Sequence, residues 1–199
     1  MGSGKIVVLG TGGTIAGTGS GSQDHVGYAA AQLGIAELVE GVPGLQDLAL
    51  QVEQVAQVDS KDMDEAIWRA LAARCTEALA DTTVHGIVVT HGTDTLEETA
   101  YFLHRLFAPA KPLVLACAMR PSPALVAGGP QNLLDAMSVA RTPGARGVLA
   151  VCAGQVHGAE AVAKRHAYRL DAFSSGESGP VGVVEEGRVR LVGGVGDHE

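Results

Sequence analysis

The chain of 199 residues contains 46% hydrophobic and 18% charged residues and has a net charge of −8. This composition is typical of a globular protein with one well-buried core, and it excludes a disordered chain. The negative charge and the 4% content of aromatic residues argue against a nucleic-acid partner, which needs clustered Lys and Arg and aromatic rings for stacking.

The first predicted element is a strand over Ile6–Leu9, and the glycine-rich stretch GTGGTIAG at residues 10–17 follows it. A dinucleotide fingerprint G-x-G-x-x-G starting at Gly10 fails because its sixth position is Ile15. A P-loop also fails, because its Gly-Lys pair must precede Ser or Thr and the pair at 4–5 precedes an isoleucine. The stretch is therefore either a packing turn between a strand and a helix or the place of a nucleophile.

A Gly- and Ser-rich segment at 18–27 comes next, and we expect it to be a mobile loop because it has little apolar surface to bury. Tyr28 follows this loop. A helix is then predicted over Asp62–Leu79, where apolar residues recur on one stripe and acidic residues occupy the first turn. Ser60 stands just before this helix and could serve as its N-cap.

Three further apolar runs are predicted to be strands buried on both faces, as in a parallel sheet: Gly86–Val89, Leu113–Cys117 and Val148–Cys152. Between them lie two more predicted helices. One spans Leu96–Phe107, with Thr95 and Glu98 as a capping box, and the other begins at Pro130. Strands that alternate with helices predict an α/β fold, with a mostly parallel, Rossmann-like open sheet flanked by helices.

The last predicted element is a C-terminal β-hairpin, formed by Val181–Val184 and Val189–Val192 around Glu-Glu-Gly-Arg. We expect one domain over residues 1–192 and a linker or frayed tail over 193–199. The cysteines are odd in number, lie in apolar segments and lack the spacing of metal ligands, so we interpret them as reduced core residues without a metal: Cys75, Cys117 and Cys152.

Polar side chains cluster after the second of the four apolar strands, in Thr90-His91-Gly92-Thr93-Asp94-Thr95. The carboxyl ends of strands are where α/β proteins form their sites. Taken singly, each residue also has an ordinary explanation: Asp94 or Thr95 could cap the next helix, Lys164 could be a solvated surface lysine, and Tyr28 could anchor its loop.

The combination of segments is more specific than any one of them. In chain order, GTGGTIAG, VDSKDMDE, VTHGTDTLEETAYFL, ACAMRP and the later lysine at 164 resemble the L-asparaginase family of bacterial type. The resemblance extends from Lys5 to the hairpin near Val192. It implies an amidohydrolase domain that converts L-asparagine to L-aspartate and ammonia through a threonine nucleophile and an acyl-enzyme.

The resemblance also implies a role for each matching residue. Thr14 corresponds to the nucleophile and Tyr28 to its hydroxyl partner, while Thr93, Asp94 and Lys164 correspond to the second catalytic threonine, the acid and the catalytic lysine. The implied substrate-binding residues are Gly13, Ser60, Lys61, Gly92, Thr93, Asp94 and Ala118. The glycines among them bring backbone N–H groups close to the substrate. A threonine hydroxyl is a weak nucleophile, so it needs such a base and such N–H groups.

Of three departures from the family pattern, Gly10 in place of a common alanine is expected to have no consequence, and two bear on function. Lys61 stands where many members have Gln or Glu, and its charge is expected to change affinity for the substrate carboxylate. The chain also ends where the family's smaller C-terminal domain would begin. In the family's dimers, residues from a neighbouring subunit's C-terminal domain close the site, so the resemblance leads us to expect an isolated N-terminal domain with little activity.

Two alternative functions remain. One is the amidase subunit of an archaeal-type tRNA amidotransferase, which shares the threonine motifs, and the other is an inactive domain that binds aspartate or asparagine. We expect no cofactor, a small amino-acid substrate and assembly as a homo-oligomer. No apolar run reaches the roughly 20 residues of a membrane span and no signal peptide is apparent, so a cytoplasmic location without membrane contact is expected.

Overall fold

The computed structural model of the protein describes residues 4–18, 29–121 and 128–192. Tyr28, nearly all of the predicted mobile loop at 18–27 and the predicted tail at 193–199 lie outside the described residues. At the start of that loop, Thr18 forms an antiparallel bridge with Ala29.

The described residues form strands and helices in alternation. The first nine elements are β1 Lys5–Gly12, α1 Ile35–Glu40, β2 Leu50–Val58, α2 Glu65–Ala80, β3 Val84–Thr90, α3 Leu96–Phe107, β4 Pro112–Ala116, α4 Gly129–Ala140 and β5 Gly147–Cys152. The remaining strands are β6 Gln155–Gly158, β7 Ala163–Lys164, β8 Phe173–Ser174, β9 Gly182–Glu185 and β10 Arg188–Leu191. Short 3-10 turns are found at Thr14–Ala16, Ser60–Asp62 and Gly176–Ser178.

Eight of these strands form one sheet in the order β10-β9-β6-β5-β4-β3-β1-β2. Strands β1 to β5 pair in parallel, whereas β6, β9 and β10 are antiparallel additions at one side. From β1 the chain first adds β2 on one side of β1, and it then returns to add β3 on the other side. The strand order therefore reverses between the neighbouring strands β1 and β3. Ligands of open α/β sheets bind at such a switch point, outside the carboxyl ends of the strands.

Helices cover both faces of the sheet. Along β1, Ile6 and Val8 point into a core with α1 and α4, while Val7 and Leu9 point into a second core with α2 and α3. This alternation follows from the two-residue period of a strand, and it explains why the central strands are apolar without interruption. The predicted fold class, a mostly parallel open sheet flanked by helices, is confirmed.

The predicted strands, helix α3 and the C-terminal hairpin are confirmed, the hairpin by the pairing of Val184 with Val189. The helix predicted from Asp62 starts later, because Asp62 belongs to a 3-10 turn and Asp64 caps the helix by accepting a 2.9 Å hydrogen bond from the backbone N–H of Ile67. None of the described helices combines the length and apolar character needed to cross a membrane.

Candidate functional site

The loops after β1 and β3 meet at the switch point of the sheet, where their glycines touch. A Cβ atom placed on Gly13 would lie 2.3 Å from the Cα of Gly92, so only glycine at 13 permits this approach. Two residues before each glycine, the hydroxyl of Thr11 donates a 2.7 Å hydrogen bond to the carbonyl of Thr90. The two threonines that follow these glycines, Thr14 and Thr93, are thereby brought to the same end of neighbouring strands.

Thr14 opens a 3-10 turn directly after β1 and is 7% exposed. The turn is entered through Gly13 at φ 81°, a left-handed conformation that favours glycine. The backbone N–H of Gly13 donates to the carbonyl of Val58 at 2.9 Å, and that of Gly17 donates to the carbonyl of Thr14 at 2.9 Å. The backbone around the predicted nucleophile is therefore fixed on both sides.

Thr93, Asp94 and Lys164 form one hydrogen-bonded cluster. The ammonium of Lys164 donates to Thr93 Oγ1 at 2.8 Å and to Asp94 Oδ1 at 2.5 Å. The Lys164 side chain is 18% exposed and that of Asp94 is 54% exposed, so the cluster lies where the protein core meets solvent. The structure thus excludes the interpretation of Lys164 as a solvated surface lysine.

Ser60 is buried beneath the loop that follows β3. Its hydroxyl oxygen accepts a 3.1 Å hydrogen bond from the backbone N–H of Asp94, and a Cβ atom on Gly92 would lie 2.4 Å from this oxygen. Having accepted one bond, the hydroxyl can still donate its hydrogen to a ligand. The N-cap of the turn at 60–62 is Asp59, whose carboxylate accepts from the backbone N–H of Lys61.

The predicted capping box of Thr95 and Glu98 is wrong. The Thr95 side chain makes no capping hydrogen bond to helix α3 and instead donates to the carbonyl of Ser60 at 2.7 Å. A cap would use the hydroxyl oxygen to accept from a helix N–H, whereas the contact found here uses the hydroxyl hydrogen to donate to a distant carbonyl. This hydrogen bond joins the start of α3 to the turn that contains Ser60.

Lys61 differs from its neighbour Ser60, because its side chain is 61% exposed and its ammonium pairs with Asp62. A second carboxylate, that of Asp59, lies 3.9 Å away. The hydrogen bond with Asp62 raises the pKa of Lys61. The Lys61 ammonium therefore interacts with the neighbouring carboxylates of Asp59 and Asp62. It does not belong to the hydrogen-bonded cluster of Thr93, Asp94 and Lys164.

Ala118 lies just beyond the end of β4 and is fully buried. A Cβ atom on Gly129, at the start of α4, would lie 3.6 Å from its methyl group and 3.1 Å from Ile15 Cγ1. Ala118 therefore reaches the same edge of the sheet as the turn of Thr14, and a contact of its backbone with the substrate stays a prediction.

His91 is buried behind the site and is held neutral. Burial lowers its pKa to about 4. Nδ1 lies 2.7 Å from the carbonyl of Gly92, which only accepts, so Nδ1 carries the hydrogen. Nε2 then accepts from the Thr99 hydroxyl at 2.9 Å, and that hydroxyl accepts from Trp68 Nε1 at 2.9 Å. Both ring nitrogens are occupied, so His91 supports the loop and cannot act as a base.

One contact was not predicted. The backbone N–H of Lys164 donates to a carboxylate oxygen of Glu97, in the first turn of α3, at 2.5 Å. No sequence pattern points to this pair, because the two residues are 67 positions apart and a glutamate in the first turn of a helix is common. Among the described residues, no three His, Cys, Asp or Glu side chains cluster so that they could hold a metal ion.

The geometry can be compared with known proteins. Residues 5–194 match the family described as Asparaginase, N-terminal. The chain is 43% identical over 185 residues to L-asparaginase 2 of Bacillus subtilis, covering 92% of this chain and 49% of that protein. It is 41% identical over 187 residues to the glutaminase-asparaginase of Pseudomonas fluorescens biotype A, covering 92% of this chain and 51% of that protein.

Among solved structures, the "Probable Cytoplasmic L-asparaginase" from Campylobacter jejuni superimposes with a TM-score of 0.93 at 40% identity, covering 96% of this chain and 59% of that one. The chain spans about half the length of the curated relatives that it matches. At this level of identity and coverage, the comparisons define the evolutionary family as well as the fold.

Proposed function

The chain belongs to the asparaginase family, whose N-terminal domain it matches, and we propose that it hydrolyses L-asparagine to L-aspartate and ammonia. The single observation that carries this proposal is the hydrogen-bonded cluster of Thr93, Asp94 and Lys164 beside the turn of Thr14. A hydroxyl in contact with an amine, at the switch point of an α/β sheet, is suited to acyl transfer through an activated nucleophile.

In the proposed first step, Thr14 Oγ1 forms a bond to the carbon of the substrate's side-chain amide. The C–N bond then breaks, ammonia leaves with a proton, and an aspartyl ester remains on Thr14. Backbone N–H groups of the Gly13 and Gly92 loops are the proposed donors to the oxygen that becomes negative. Water next adds to the ester, releases L-aspartate and returns a proton to Thr14.

The cluster around Lys164 is the proposed route for protons. As an ammonium, Lys164 donates to the Thr93 and Asp94 oxygens, which leaves the Thr93 hydroxyl hydrogen free to point at the substrate. As a neutral amine, Lys164 can accept a proton from Thr93. Asp94 has the second carboxylate oxygen and the solvent exposure needed to bind the substrate ammonium. Ser60 is proposed to donate to the substrate α-carboxylate.

Tyr28, Lys61 and Ala118 keep their predicted roles as the hydroxyl partner of Thr14, a charge near the substrate carboxylate and a backbone contact. Assembly as a homo-oligomer also stays a prediction. A cytoplasmic location is part of the proposal and is supported by the name of the Campylobacter relative. The alternative of an amidotransferase subunit stays open, and the alternative of an inactive binding domain is separated from hydrolysis by the following test.

Ammonia release from L-asparagine and from L-glutamine is measured beside calorimetric binding of L-aspartate. We expect weak release from asparagine, in keeping with the little activity predicted above, and we expect Thr14→Ala to abolish it while aspartate binding and the circular dichroism spectrum persist. A diazoketone analogue of asparagine should leave its adduct on Thr14. An adduct confined to Thr93 would exchange the roles of the two threonines, and aspartate binding without ammonia release would favour the binding domain.

A further inference from the structure

The segment from Thr93 to Glu97 holds Lys164 at both of its ends. Thr93 and Asp94 accept from the ammonium at the tip of the side chain. Glu97 accepts from the backbone N–H at its base, 2.5 Å away. The position of the proposed catalytic amine therefore depends on three residues of one short segment, 67 to 71 positions earlier in the chain.

Within the part of the chain that the structure describes, the backbone at Lys164 has little other support on this side. Strand β7 contains two residues and pairs with β8, which contains two as well. The next N–H, that of Arg165, donates to the carbonyl of Ala172 on the β8 side at 2.7 Å. Successive N–H groups of a strand point to opposite sides, so the N–H of Lys164 points away from β8 and needs another acceptor. The Glu97 carboxylate fills the place of a missing neighbouring strand.

We infer that Glu97 is a positioning residue for Lys164: its carboxylate fixes the backbone from which the ammonium reaches Thr93. The catalytic part of this inference rests on the proposed function, whereas the positioning part does not. A carboxylate that accepts an N–H bond forms a stronger hydrogen bond than a neutral acceptor. Without it, the lysine backbone can shift, and a displacement of about 1 Å in a site can lower a rate by about 10²-fold.

The neighbouring residue provides a matched control. Glu98 is the next residue of the same first turn and is exposed. Both carboxylates interact favourably with the N-terminus of α3, so a general effect of negative charge on the helix is shared by the two positions. The bond to Lys164 belongs to Glu97. A comparison of Glu97→Ala with Glu98→Ala therefore isolates the contact from the charge.

The experiment observes Lys164 directly. The sequence contains four lysines, at positions 5, 61, 111 and 164, so [15N]lysine labelling gives a simple amide spectrum, in which Lys164→Arg identifies the signal. We expect hydrogen exchange of the Lys164 amide to become at least about tenfold faster in Glu97→Ala, as loss of a charged hydrogen bond requires. Glu98→Ala should leave it unchanged. Glu97→Gln retains an acceptor, so it should restore slow exchange while moving the amide proton upfield.

Turnover provides the second measurement. We expect Glu97→Ala to lower kcat for asparagine on the order of 10- to 100-fold with KM changed less than threefold, and Glu97→Gln to recover most of the loss. Unchanged exchange in Glu97→Ala, an equal effect of Glu98→Ala, or no shift of the amide proton in Glu97→Gln would overturn the inference. If wild type shows no turnover while the exchange results hold, the positioning contact stands and the proposed hydrolysis fails.

Discussion

Gly13 makes the closest backbone approach in the site, and alanine there meets two obstacles. Its φ of 81° is unfavourable for a side chain, and the new Cβ would lie 2.3 Å from Gly92 Cα. Gly44 has a similar φ of 91° with open space around it. We expect Gly44→Ala to lower the free energy of unfolding by about 1–2 kcal/mol and Gly13→Ala by about 3–5 kcal/mol, as measured by urea denaturation. Equal losses of stability in the two variants would show that the loops of Gly13 and Gly92 can move apart without lowering the free energy of unfolding.

Lys164 should matter for chemistry and little for stability. We expect Lys164→Met to reduce ammonia release from asparagine on the order of 10²- to 10⁴-fold, the usual contribution of a general base. Since Asp94 is 54% exposed, loss of the ion pair should change the free energy of unfolding by about 1 kcal/mol or less.

The control is Lys5→Met, which removes the 3.0 Å ion pair of Lys5 with Asp81 at the opposite end of β1. It should have a similarly small effect on unfolding and leave turnover intact. A Lys164→Met variant with normal activity would remove the amine from the mechanism.

At the scale of elements, the start of α3 and the turn at 60–62 are joined by the hydrogen bond from Thr95 to the Ser60 carbonyl. We expect Thr95→Val to lower the free energy of unfolding by about 1 kcal/mol and to weaken aspartate binding in calorimetry, because Ser60 and Asp94 lose their shared support. Thr95→Ser keeps the donor and should behave as wild type. If Thr95→Val lowers the free energy of unfolding and leaves aspartate binding unchanged, the bond stabilises the fold and has no effect on the site.

Elements with a strong sequence pattern were predicted, and weak ones were not. Strands β1, β3, β4 and β5 are buried on both faces and read as apolar runs. Strand β2, at the edge of the sheet, has polar Gln and Glu between its apolar residues and many half-buried positions, so its sequence lacks such a run. Strands β6 and β7 are too short to show a period.

The roles of the site residues stay predictions. The family resemblance assigns such roles to Thr14, Thr93 and Lys164, and the structure places the last two in contact. The partners of Thr95 and Glu97 could not be predicted, because each depends on a contact with a distant part of the chain and both residues also suit an ordinary helix start.

For the whole molecule, two buried histidines among the described residues, His91 and His157, contribute to the response to acid. Burial lowers the pKa of both His91 and His157 from 6.5 to about 4. Between these values the unfolded chain binds a proton at each histidine and the folded chain does not. Stability from this source is therefore complete above pH 6.5 and is lost as the pH falls towards 4.

We expect the free energy of unfolding, measured by urea denaturation between pH 7 and 4, to fall by roughly 3 kcal/mol for each histidine. His157→Gln should reduce the slope of the free energy of unfolding against pH by the equivalent of about one bound proton. A slope that is the same in the variant and in wild type would show that His157 already binds a proton in the folded protein.

The positions of the three free cysteines provide a way to time the opening of the molecule. Cys75 on α2, Cys117 after β4 and Cys152 on β5 are all buried in the core layer that contains α2 and α3. Burial also raises the pKa of Cys75 to about 12, so this thiol reacts only after it reaches water. The rate at which an alkylating reagent modifies each cysteine therefore measures how often its surroundings open. Earlier labelling of Cys75 than of Cys152 would mean that helix α2 detaches while the sheet is still intact, and equal rates would mean that this half of the protein opens as one unit.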